Sequence, residues 1–160
     1  MKPLQEAYNT PVPIKWEETQ LGIEGYFKIL DMNYTIIANT MVHGFMSYKF
    51  TSENNNTELL NSTKGYAIQL IPTIKSSLYF ILDTIQPNGI VFSATDNSRG
   101  RKLLYDKYCN ELLKNPKWRL NIRIDGDVKM YIIYNSAVNS EMLIDVSEYY
   151  SLVYSGLLNN

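Results

Sequence analysis

The chain has one cysteine, Cys109, and one histidine, His43, and this scarcity narrows its chemistry before anything else does. A lone cysteine excludes an intrachain disulfide, and one residue of each kind leaves too few ligands for a structural zinc site built from Cys and His. A mechanism needing two histidines is excluded too. Cys109 falls inside an amphipathic stretch and reads as core or filler, and His43 beside Gly44 at a bend reads as a surface residue rather than a base. No run reaches the roughly 18 apolar residues of a membrane span, and Met1-Lys2-Pro3-Leu4-Gln5-Glu6 lacks the apolar centre of a signal peptide. A cytoplasmic protein with no membrane partner is expected. Prolines are few, 6 in all, but Pro3, Pro11 and Pro13 crowd the start and break any helix there. Residues 1–24 therefore read as an arm, with Trp16 as its anchor, and residues 25–160 as a single domain.

Neither sign of charge dominates: 15 Lys and Arg stand against 16 Asp and Glu. With 45% hydrophobic residues over 160 positions, the chain is long enough to bury a core without metal or disulfide help. The apolar pattern then divides it. Tyr26 to Leu30, Tyr34 to Ala38 and Phe45 to Phe50 are short β-rich runs separated by turn residues, a three-stranded antiparallel meander. Thr51 to Lys64 is a polar loop. Ile71, Ile74, Leu78, Ile81, Leu82 and Ile85 recur at helical spacing, with Pro72 predicting that the regular helix starts near it and that Gly65 to Ile71 form a bend leading in.

A buried strand over 89–95 follows, then a helix over about 98–114 with Leu104, Tyr108 and Leu112 inward. Helices between strands require part of the sheet to be parallel. Trp118 to Ile124 alternates apolar and polar, Asp125-Gly126-Asp127 is a hairpin turn, and Val128 to Tyr134 returns. Glu141 to Leu158 is a terminal helix that packs on the sheet or on a second copy of the chain. The fold class is α+β with a mixed sheet.

The charges are unevenly placed. All four arginines, Arg99, Arg101, Arg119 and Arg123, lie in one segment with Lys102, Lys107, Lys114 and Lys117, against only Asp106 and Glu111. The strand over 89–95 runs straight into the cationic start of a helix, where unpaired N–H groups and the helix dipole both favour an anion. A phosphorylated cofactor or nucleic acid would fit.

The order of three strands, helix, strand, helix, two strands and a final helix resembles the GNAT superfamily of acyl-CoA-dependent N-acyltransferases from its second strand onward. Ser62-Thr63-Lys64-Gly65-Tyr66-Ala67 is similar to that family's [RQ]-x-x-G-x-[GA] pyrophosphate loop, with Ser62 where Arg or Gln would stand. Ser98 and Leu104-Tyr105 fall at the positions of its N-x-x-A-x-x-L-Y pattern. Ile90 to Ala94 with Ser98-Arg99 and Leu104-Tyr105, and Pro72-Thr73-Ile74 upstream, also resembles a group of small bacteriophage proteins described as acyltransferase-like.

The resemblance implies acetyl-CoA or another acyl-CoA as cofactor, no metal, and direct transfer to an amine on a small molecule or protein. It implies a strand pair splayed around Tyr48 and Phe92, Tyr105 as the acid for the departing thiolate, and Asp96 or a water as the acceptor of the amine proton. Ser62, Lys64, Gly65, Tyr66 and Ala67 would hold the cofactor, with Ser98, Arg99 and Arg101 near its phosphates. If phage-encoded, the protein would act in the host cytoplasm. Two alternatives use other features. A binding or inhibitor protein would place Arg99, Arg101, Lys102, Arg119 and Arg123 against nucleic acid or an acidic host protein, with Tyr105, Tyr108 and Trp118 interleaved. An assembly protein would form a homodimer through the C-terminal helix.

Overall fold

The computed structural model describes residues 11–53, 65–95 and 99–155. Seven strands form one sheet: β1 (Lys15–Glu18), β2 (Gly22–Ile29), β3 (Met32–Thr40), β4 (Phe45–Ser52), β5 (Gly89–Thr95), β6 (Arg119–Asp125) and β7 (Val128–Tyr134). Their order across the sheet is β1-β2-β3-β4-β5-β7-β6, and β4 and β5 are the parallel pair. The described residues also form three α-helices: α1 (Gly65–Phe80), α2 (Arg99–Leu112) and α3 (Ser140–Tyr150). None of the described helices is long and apolar enough to cross a membrane.

The period-2 rule sorts side chains onto two faces. Phe27, Ile29, Tyr34, Ile36, Tyr48, Phe50, Ile90, Phe92 and Tyr131 join Leu70, Ile74 and Leu78 of α1 and Leu104, Tyr105, Tyr108 and Leu112 of α2 in one buried cluster. On the opposite face Phe45, Val91, Met130 and Ile132 pack against Leu143, Val146 and Tyr150 of α3. Strand β5 is thus covered on both sides, which is why its apolar run barely alternates. The terminal helix packs on its own sheet, capped by the Asn139 side chain, which accepts from the Met142 N–H at 2.9 Å.

Three expectations need correction. The stretch read as an arm supplies β1, which pairs with β2 from Lys15 opposite Tyr26 to Glu18 opposite Ile23. Trp16 does anchor it, stacking on Phe80 of α1 with ring centres 4.6 Å apart. Its Gly25 neighbour leaves room for that ring, since a Cβ there would sit 2.9 Å from it.

Helix α1 begins at Gly65 and runs through Pro72, so Gly65 to Ile71 is helix and not a bend. Burial of Leu70, Ile74 and Leu78, and a tether from the Val12 N–H to the Thr73 hydroxyl at 3.0 Å, outweigh the single backbone bond that proline removes. The helix then widens into a π turn over Ile81–Ile85 and stops at left-handed Gln86, before Pro87.

Strand β6 begins at Arg119, and its apolar face is covered only in part. Ile122 is 43% and Ile124 74% exposed on this edge strand of the sheet. The β6–β7 turn has two residues, with Gly126 at φ 60° in the first position, where glycine suits a type II′ turn.

Candidate functional site at the β4–β5 divergence

Parallel strands β4 and β5 pair over only three positions: Phe45 with Gly89, Met46 with Ile90 and Ser47 with Val91. Both strands continue past that point. β4 stays bonded to β3 as far as Ser52 opposite Tyr34, and β5 to β7 as far as Thr95 opposite Val128. The next rung, Tyr48 beside Phe92, is not made, so a gap opens between the carboxyl ends of the two strands. The Phe45 carbonyl is turned to the β3 side, where it accepts from the Met41 N–H at 2.7 Å. Strand alternation then turns the backbone groups of Tyr48 and Phe50 toward the gap.

Topology places two helix starts at the same end. Helix α1 must return from the end of β4 to the start of parallel β5, and α2 begins four residues after Thr95. The carboxyl ends of adjacent parallel strands, with helix N-termini above them, are where α/β sheets bind ligands. As at any helix start, the first-turn N–H groups of α1, at Gly65, Tyr66 and Ala67, have no intrahelical acceptor.

Tyr105, on α2, lies across the gap. Its ring centre is 4.4 Å from that of Phe92 on β5 and 6.4 Å from that of Phe50 on β4. Burial pushes its phenol well above the ordinary range, Arg101 pulls the other way, and Tyr150 from the opposite face of the sheet adds to the rise. The group is therefore fully protonated at neutral pH, the form that donates a proton or a hydrogen bond. Tyr48 is likewise raised by burial, and its hydroxyl lies 2.6 Å from that of Ser77, fixing β4 to α1.

One turn before Tyr105, Arg101 donates to the Phe50 carbonyl at 2.7 Å and lies over the Phe50 ring at 4.4 Å. On the other face, the Ser93 and Tyr150 hydroxyls are 2.7 Å apart beside the unmade rung. The sequence held one signal for Ser93, a polar residue within the apolar run of β5. It held none for Tyr150, which α3 brings from 57 residues away.

Of the residues singled out from sequence, Gly65, Tyr66, Ala67, Arg99, Arg101 and Tyr105 lie on the two helices that border the gap. Ser62, Lys64, Asp96 and Ser98 lie outside the described residues. Arg119 and Arg123 do not join Arg101 and Lys102. Arg119 sits opposite Tyr134, at the far end of the sheet from the gap. Arg123 lines a groove of about 680 Å³ with Met130, Ser147 and Glu148 on the α3 face. His43 is at the opposite end of β4, with its Nε2 2.9 Å from Asp145. Cys109 is buried, and that burial, with Asp106 nearby, pushes its thiol up to about 12.

Comparison with protein-family models, with curated proteins and with solved structures returns no match for this chain.

Proposed function

We propose that the protein is an acyltransferase-like domain of the GNAT type, taking an acyl-CoA at the gap between β4 and β5 and passing the acyl group to an amine. One observation carries this reading: β4 and β5 separate after Ser47 and Val91, and Tyr105 bridges Phe50 and Phe92 at that place. The sequence resemblance expects the splayed strands around Tyr48 and Phe92 and the acid at Tyr105. The element order from β2 onward supports it further.

In this reading the N–H groups of Gly65, Tyr66 and Ala67 hold the cofactor's pyrophosphate, and Arg99 and Arg101 add positive charge at the same end. The backbone edges of the diverging strands steady the thioester and its tetrahedral oxyanion. The Tyr105 phenol gives its proton to the departing sulfur. Ser62, Lys64 and Ser98 beside the cofactor, and Asp96 or a water as acceptor of the amine proton, are what the resemblance adds to this reading.

A second reading, a binding or inhibitor protein without catalysis, draws on the packing of Phe50, Phe92, Tyr105 and Tyr131, which fills the α1 and α2 side of the gap with rings. Calorimetric titration of the full chain with acetyl-CoA separates the two. Saturable binding, retained in Tyr105→Phe while transfer falls by about 100-fold, is the expected result. Absence of heat at high micromolar acetyl-CoA, together with a salt-sensitive shift of nucleic acid in a gel, would replace the first reading by the second.

A further inference from the structure

The gap has two sides, and the resemblance accounts for only one. Tyr105 closes it on the α1 and α2 side. On the other side stands a hydroxyl pair contributed by β5 and α3. Ser93 is the polar residue within Ile90-Val91-Phe92-Ser93-Ala94, half-buried where the β4–β5 ladder has just ended. Its Oγ is 2.7 Å from the Tyr150 phenol oxygen. Tyr150 is itself buried against Phe45, Val91 and Met130, so its ring is held by packing and its oxygen is aimed at Ser93. Tyr105 contacts the Phe92 ring on one face of β5 and Tyr150 reaches the next residue, Ser93, on the other, so the two phenols flank the end of the β4–β5 ladder from opposite faces of the sheet.

Of the other candidate acceptors, Asp96 lies outside the described residues and His43 can be placed. His43, the one imidazole of the chain, is held by Asp145 at the other end of β4. It cannot serve the gap without leaving that partner.

Resting on the acyltransferase reading, we propose that Ser93 and Tyr150 form the acceptor side of the gap and the exit route for the acceptor's proton. The amine enters from the α3 face. Its nitrogen attacks the thioester carbonyl carbon, the carbon–sulfur bond breaks, and the sulfur takes the Tyr105 proton. The proton lost by the amine goes to Ser93 Oγ, as Ser93 passes its own to Tyr150 and Tyr150 passes its own to water. Tyr105 recovers a proton from water, so the hydroxyl groups end as they began. Ser93 is the catalytic residue here, and Tyr150 is a positioning and relay residue.

The test uses the full chain, acetyl-CoA, and hydroxylamine as the nitrogen nucleophile. Ser93→Ala and Tyr150→Phe are expected to lower kcat for acetohydroxamate formation by about 100-fold, the usual scale for lost proton-transfer catalysis. Acetyl-CoA affinity by calorimetry should be unchanged. Ser93→Thr should restore much of the rate, and near-ultraviolet circular dichroism identifies any variant that has merely unfolded. If the wild-type chain binds acetyl-CoA and Tyr150→Phe turns over at the wild-type rate, the acceptor assignment is wrong and the acyltransferase reading stands. Wild-type binding without hydroxamate formation also overturns the assignment. Failure of the wild-type chain to bind acetyl-CoA removes both.

Discussion

The Arg101 guanidinium lies 4.4 Å from the centre of the Phe50 ring and donates to the Phe50 carbonyl at 2.7 Å. A residue that the sequence offers to a ligand's phosphates thus also ties α2 to the unpaired edge of β4. Its Nε is buried with no partner among the described residues, so part of its hydrogen-bonding capacity is unused. One side chain caps the edge of the gap and carries positive charge to it.

Arg101→Ala is therefore expected to destabilise the fold by about 2 kcal/mol, because it removes a charge-assisted hydrogen bond and a cation–π interaction together. Arg101→Lys should recover only part, because an ammonium cannot lie flat on the ring while reaching the carbonyl. Urea denaturation followed by circular dichroism measures both. A Lys variant as stable as wild type would show that charge alone matters here.

Gly89→Ala should cost about 2–3 kcal/mol, the scale of overpacking a closed site. A Cβ on Gly89 would lie 2.3 Å from Phe45 Cε2 and 2.5 Å from the Ile133 carbonyl oxygen, and a backbone atom cannot rotate away. This glycine starts the short parallel ladder, so the change should also loosen the joint from which β4 and β5 diverge. A lower denaturation midpoint with faster amide exchange at Ile90 and Val91 is the expected pair of observations.

Acid should weaken the packing of α2 on β7. Burial opposes the charge of Asp106, but hydrogen bonds from Tyr131 at 2.7 Å and Lys129 at 3.0 Å outweigh it and hold the carboxyl below its ordinary value. A folded-state value below the unfolded one means that the stabilisation is complete above the unfolded Asp value of about 4. It is lost as pH falls through the lower folded value. Asp106→Asn should flatten this part of the stability profile between neutral pH and about pH 3, measured by thermal unfolding at each pH. An unchanged acid limb would mean that other carboxylates set it.

Cys109 should resist alkylation in the native state. With its thiol pushed up to about 12 and its side chain buried, the thiolate is scarce at pH 8. Reaction with iodoacetamide should be on the order of 1000-fold slower than for an exposed cysteine, and should recover that rate in denaturant. Rapid native labelling would mean that α2 opens locally.

Much of the fold was legible from side-chain period and punctuation. The meander, the apolar strand 89–95, the helix after it and the 119–134 hairpin follow from local patterns, because period 2, period 3.6 and turn residues are written into consecutive positions. Two elements were not legible for the same reason. Lys15 to Glu18 has no apolar alternation, and it becomes a strand only because β2 offers an open edge and Trp16 finds Phe80. Pro72 reads as a helix start, and its neighbours remain helical only because Leu70, Ile74 and Leu78 have a sheet to pack on.

At the candidate site, the pair carried on one helix could be read from the chain alone: Tyr105 with Arg101 one turn before it, whereas the start of α1 at Gly65 could not. That the chain has one histidine and one cysteine to offer could also be read there. Three-dimensional packing settles where β4 and β5 part, which face Arg119 and Arg123 take, and that Ser93 meets Tyr150. Strand divergence is a relation between two segments about 40 residues apart, and the Ser93–Tyr150 hydrogen bond joins residues 57 apart. No local pattern encodes such pairs, because they exist only once the sheet has brought β4, β5 and α3 together.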